Sequence, residues 1–116
     1  LAMDPVMPGP SPPTGNAKFA VGQLIHHHLF DYRGVVADVD PEFQGSEDWY
    51  EQMARSRPPK DAPWYHVLVH NATHTTYVAE QNLEAGPSDD PVRHPMIKEI
   101  FDGFENGRYI AHRRPN

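Results

Sequence analysis

WYHVLVHNATHTTYVA, residues 64–79, reads as two strands and the loop between them. Tyr65, Val67 and Val69 alternate with His66, Leu68 and His70, the period of two that sends one set to each face of a strand. Asn71-Ala72-Thr73 supplies a short polar loop, and His74 to Ala79 returns as a second strand rich in Thr, Tyr and Val. An antiparallel hairpin is therefore expected at the centre of the fold.

Towards the N-terminus, RPPKDAP (57–63) separates this hairpin from a segment of different texture. Ser46 is a good N-cap, Glu47 and Asp48 lie where the helix dipole favours negative charge, and Pro58-Pro59 forbids continuation. Trp49, Tyr50, Met53 and Arg57 recur at helical spacing, so a helix is expected over Glu47 to Arg57. Further back, Val35 to Val39 forms a strand that stops at Pro41, and a turn around Tyr32 and Arg33 separates it from a first strand at about Gln23 to Leu29. Structure is expected to begin at Phe19, around a turn at Gly22.

Towards the C-terminus, Asn82-Leu83-Glu84 adds a short last strand that Gly86-Pro87 ends. Met96, Ile97, Ile100 and Phe101 then suggest a short helix over Pro95 to Phe104, and the final RYIAHRRPN is expected to fray. Four or five short strands with one inserted helix leave no room for parallel crossovers of about a dozen residues each. The expected class is mainly β: a small SH3-like antiparallel β-barrel with one inserted helix and flexible termini. The expected organisation is a disordered leader at 1–17, a barrel domain at 18–84 and an extension at 85–116. Leu1 is not an initiator, which leaves the first residues open to being an expression scar, with Met3 or Met7 as natural starts.

Composition narrows the function classes. A chain of 116 residues is one small domain with tails. The 13 prolines, five of them in the first 17 residues, mean that part of the chain does not pack. The absence of cysteine excludes disulfides, thiolate chemistry and Cys-based metal centres, and suits a reducing cytoplasm. No apolar run reaches membrane-spanning length. A net charge of -6 disfavours a broad nucleic-acid footprint, and residues 18–84 carry five cations against ten carboxylates.

Three blocks carry a resemblance: GQLIHHHLFDYRGVVADVDP from Gly22, DAPWYHVLVH from Asp61, and HTTYVAEQNLE from His74. Together they resemble the HspQ family, bacterial heat-shock proteins also described as YccV-like hemimethylated-DNA-binding proteins, over about Lys18 to Glu84. The resemblance implies a small cytoplasmic β-barrel without a cofactor. It also implies two activities: modulation of Lon-type ATP-dependent proteolysis under heat stress, and association with hemimethylated DNA near replication origins.

The residues themselves offer few catalytic constellations. His26 and His28 on one strand face, with His66 and His70 on another, are candidate metal ligands, the alternative being solvent-facing strand histidines. Asp38, Asp40 and Glu42 could hold a divalent cation but lack the glycine and distal glutamate of an EF-hand loop, and read more simply as the polar end of a strand. No nucleophile elbow or phosphate-binding loop is present, so the chain is expected not to be an enzyme. Its function must then lie in a surface. Tyr65 and Tyr77 are expected to face the core, whereas Trp49 and Trp64 are the candidate partner contacts, the alternative being that they simply cover the barrel mouth. Arg55, Arg57 and Lys60 are the local cations a DNA interface would use, and read more simply as a solvated helix end. A protease accessory module is the leading expectation, a DNA-binding regulator the alternative, and a homo-oligomer a third.

Overall fold

The computed structural model describes residues 17–112. Among these, seven strands and two helices form a mainly β globule, and no helix is long and apolar enough to cross a membrane. The main sheet is antiparallel, built from β1 (Leu24–His27), β2 (Tyr32–Asp40), β3 (Trp64–Val69), β4 (Thr75–Ala79) and β5 (Leu83–Ala85) in the order β4-β3-β2-β1-β5. Its two edge strands, β4 and β5, are consecutive in the chain and joined only by a single 3-10 turn, Glu80–Asn82. The sheet must curl for its opposite edges to come so near each other. A bulge between Val36 and Asp38 of β2 adds local twist.

The curl encloses one core on the concave side, where Ile25, Val36, Tyr65, Val67, Val78 and Leu83 meet Phe19. Tyr65 donates its hydroxyl to Glu80 Oε2 at 2.6 Å and accepts from the Phe19 amide, so the polar tip of this core residue is satisfied. Of the leader expected at 1–17, only Ala17 falls within the described residues, and it packs against this core.

The central hairpin forms as the alternation predicts, but β3 is buried on both faces rather than one. The reason lies in the C-terminal segment. The helix expected over Pro95 to Phe104 is limited to one turn, α2 (Ile97–Ile100), and is followed by a hairpin of β6 (Phe101–Glu105) and β7 (Arg108–Ala111). Asn106 and Gly107 both take left-handed φ, 53° and 78°, as a two-residue type I′ turn requires. Val92, Phe101 and Tyr109 then cover Leu24, Val35 and Leu68 on the convex face, and Met96, Ile97 and Ile100 pack around them. Tyr109 N donates to Gly22 O at 2.8 Å, where a Cβ on Gly22 would lie 2.0 Å from Tyr109 O. Only glycine allows that approach.

The first strand is shorter than expected because His27 ends it. Its Nδ1 accepts the amides of Leu29 and Phe30 at 3.2 and 3.1 Å, folding residues 28–31 into a turn with Asp31 left-handed. The inserted helix α1 (Glu47–Met53) begins where Ser46 Oγ accepts from Trp49 N, and ends at Ala54 rather than Arg57. Arg57 is left-handed, in a turn drawn in by the Tyr50 hydroxyl bonded to Pro58 O at 2.6 Å.

Candidate functional site: an aromatic groove along the β4 edge

The convex face has two covers, and they differ. Beyond the C-terminal hairpin, α1 packs Tyr50 and Ala54 on Trp64 and Ala79, with Phe43, Trp49 and Tyr77 around them. The rings form a continuous set: Trp64 and Tyr77 lie 5.3 Å apart between centroids, Phe43 and Trp64 4.8 Å, and Trp49 and Tyr77 5.7 Å. Beside this set opens a groove of about 890 Å³. β4 is its floor, residues of α1 and the segment after it form one wall, and the turn carrying Leu29 and Phe30 forms the other. Phe30 (74% exposed), Met53 (63%) and Leu29 (56%) leave their side chains in solvent here, and these are three of the four large apolar residues exposed among the described residues. Solvent-exposed apolar side chains gathered around one groove make it the candidate interaction surface.

His27 holds one wall in place. It is buried beneath Phe30, with ring centroids 4.7 Å apart, and the Tyr32 ring lies at 5.0 Å. Burial, and then the neighbouring His28 and His26, push its pKa below the usual histidine value. The neutral ring keeps the Nδ1 lone pair that the Leu29 and Phe30 amides need. His26 is pulled the other way: its hydrogen bonds to Asp31 and then Glu84, both 2.7 Å, raise its pKa.

The four histidines considered as metal ligands do not come together. His26 faces Asp31 and Glu84, His28 contacts the Gln81 carbonyl, and His70 Nδ1 accepts from the Arg93 amide at 2.9 Å. Only His66 joins acidic residues of the other candidate set: the bulge in β2 brings Asp38 and Asp40 beside it, with ligand atoms all within 4.8 Å. Among the described residues this is the one group with the geometry to hold a cation. Asp40 is already engaged, accepting from the Tyr77 hydroxyl at 2.6 Å and facing His66 Nε2 at 3.1 Å. Burial and then that carboxylate push the Tyr77 pKa well above its ordinary value, so the phenol stays protonated and donating.

Of the partner-binding candidates, Trp49 stands in the groove, whereas Trp64 is buried, its Nε1 bonded to Pro59 O at 3.1 Å. Trp64 therefore supports the groove from beneath. The cations also separate. Arg57 is paired with Glu51 at 2.8 Å, and Lys60 with Glu47 while its ammonium lies over the Tyr50 ring. Arg55 is exposed at the groove wall, and among the described residues no carboxylate pairs with it. Leu29, Phe30 and Met53 were not expected from sequence to be partner contacts. Their only local signal is apolar residues in a turn and at a helix end.

A family model described as "Hemimethylated DNA-binding protein YccV like" matches residues 17–108. The chain belongs to the YccV-like family. The match bears out the resemblance read from the three sequence blocks and reaches beyond them. It runs through α2, β6 and the start of β7, so the YccV-like unit here includes most of the elements that cover the convex face.

Proposed function

We propose that this YccV-like chain is a non-enzymatic protein-binding module that docks a partner in the aromatic groove beside β4, and that the partner is a Lon-type ATP-dependent protease or a substrate presented to it. The observation that carries the reading is the rim of solvent-exposed Leu29, Phe30 and Met53 around a groove floored by a sheet edge. An aromatic or aliphatic anchor entering such a groove would have the desolvated centre that protein hot spots require. The role fits a cytoplasmic heat-stress accessory. Such a module suits a rigid scaffold, and the single turn linking the opposite edge strands supports reading the curled sheet as an SH3-like barrel. The test is degradation of a model substrate by the protease with this chain titrated in. Saturable change in rate, lost in Phe30→Asp, supports the reading; an unchanged rate at all concentrations removes it.

A second reading is favoured by the family description, which names hemimethylated DNA. It would place duplex DNA against Arg55, Arg57 and Lys60. Two of those three cations are already neutralised by Glu51 and Glu47, which weakens the phosphate attraction such a surface needs. DNA affinity that falls steeply with salt and is lost on reversing these charges would establish it.

A further inference from the structure

β4 is an edge strand without the usual protection. Edges are commonly blunted by lysine, proline, a bulge or shortness. The opposite edge, β5, has three residues, carries Glu84, and is followed closely by Pro87. β4 is Thr-Thr-Tyr-Val-Ala, five residues in unbroken register with β3, with no charge, no proline and no bulge.

The direction of its free backbone groups follows from one bond. Glu80 N donates to Pro63 O at 3.1 Å, and Pro63 and Glu80 continue the β3/β4 register by one step. Antiparallel pairs alternate between bonded and non-bonded. Tyr65/Val78 and Val67/Thr76 are therefore the bonded pairs, and Thr75 and Tyr77 turn their N–H and C=O away from β3, along the groove floor. Among the described residues no backbone partner takes them.

The groove also departs from the charge of the molecule. The chain carries -6, yet none of the side chains lining the groove is an Asp or Glu, and its one lining cation, Arg55, has no carboxylate paired with it among the described residues, whereas the lining His27 uses its Nδ1 as an acceptor and His66 already faces Asp40. Charge complementarity thus favours an occupant carrying a carboxylate. The exposed edge favours a strand, because a helix satisfies its own backbone and would leave Thr75 and Tyr77 unpaired.

We propose that the groove receives an extended, acidic-apolar peptide segment that adds to β4 as a further strand. Its main chain bonds Thr75 and Tyr77, alternate apolar side chains pack on Leu29 and Phe30, and a carboxylate of the other parity meets Arg55 on the opposite wall. This rests on the groove being a protein-docking site and specifies what it takes.

The experiment uses the full chain and a fluorescein-labelled, acetylated and amidated hexapeptide of alternating Ile and Thr with one Thr replaced by Asp. Companion peptides carry Lys in place of Asp, or backbone N-methyl groups on odd or on even positions. Expected are saturable binding and amide exchange slowed about tenfold or more at Thr75 and Tyr77. N-methylation of one parity should weaken binding by about tenfold or more while the other parity has little effect, since only one set of amides faces the edge. Arg55→Glu should reverse the preference between the Asp and Lys peptides. The proposal is overturned by absence of saturable binding, or by binding that ignores both methylation patterns and leaves exchange at Thr75 and Tyr77 unchanged. Protease binding to Phe30→Asp is measured alongside. Its loss together with negative peptide results would discard strand addition and keep the groove, whereas its persistence would discard the groove as well.

Discussion

The two ends of the convex sheet face are made of similar material and treated differently. At one end Leu24, Val35 and Leu68 lie under Val92, Phe101 and Tyr109, all six buried. At the other, Trp64 and Ala79 lie under a helix of only seven residues, and the rim beyond it leaves Phe30, Met53 and Leu29 in solvent. The difference is one of cover rather than of hydrophobicity. A hairpin closed by Asn106-Gly107 is long enough to cap its end, and α1, stopped at Ala54, is not. The first end is sealed, and the second, left open, is the one proposed to bind.

The comparison can be broken most severely at Tyr109, whose hydroxyl both donates to Val92 O and accepts from Val92 N at 3.0 Å. Tyr109→Ala should cost about 3–5 kcal/mol in urea denaturation, the usual range for emptying a buried aromatic site. Protease affinity of the fraction that stays folded should be unchanged. A near-neutral result would mean that the hairpin is not a structural cover.

Acid separates the ends less drastically. The folded-state pKa of His27 is lowered, so its contribution is fully present above its unfolded value near 6.5 and is lost as pH falls through the folded value. His26 is raised, so its contribution is present below that unfolded value and lost as pH rises through the folded one. Acidification below about pH 6.5 should therefore loosen the Leu29–Phe30 turn and weaken docking, since a proton on Nδ1 removes the acceptor of both amides. Unfolding curves and partner affinity measured across this range should fall together, and His27→Asn should flatten both. A pH-independent affinity would detach His27 from the groove.

Phe30→Asp sharpens the contrast by its small effect on folding. Since the ring is largely in solvent, the melting free energy should change by about 0.5 kcal/mol or less, while docking falls by about tenfold or more. Smallest of all is the expected effect of reversing Arg57 and Lys60 on protease binding, because both already spend their charge on Glu51 and Glu47. The same variant read by DNA titration at two salt concentrations decides the second reading.

Local chemistry made part of this legible in the sequence. The β3/β4 hairpin followed from alternation, and the start of α1 from Ser46 with two acidic residues behind it. The C-terminal hairpin was misread because Met96, Ile97, Ile100 and Phe101 have helical spacing, and all four do pack inward, but Asn106-Gly107 was the stronger signal. The meeting of Asp38 and Asp40 with His66 depends on a bulge that no composition announces. Trp49 and Trp64 were open from sequence between partner contact and cover, and local residues could not separate them: Trp49 lines the groove, whereas Trp64 is buried by cover that comes from α1 and Phe43 rather than from its own strand. The groove was hidden for the same reason: Leu29, Phe30 and Met53 are far apart in sequence from the β4 edge they flank.

The central claim, that the uncovered aromatic end is the working face, is tested most directly by titrating a Lon-type protease with the full chain and two variants of similar chemistry. Phe30→Asp places a charge at the groove, and Ile110→Asp places one on the hairpin, where Ile110 is the remaining exposed large apolar residue among those described. The expected result is saturable binding by the wild type and Ile110→Asp, with Phe30→Asp weaker by about tenfold or more. Equal binding by all three, or loss in Ile110→Asp alone, would contradict it.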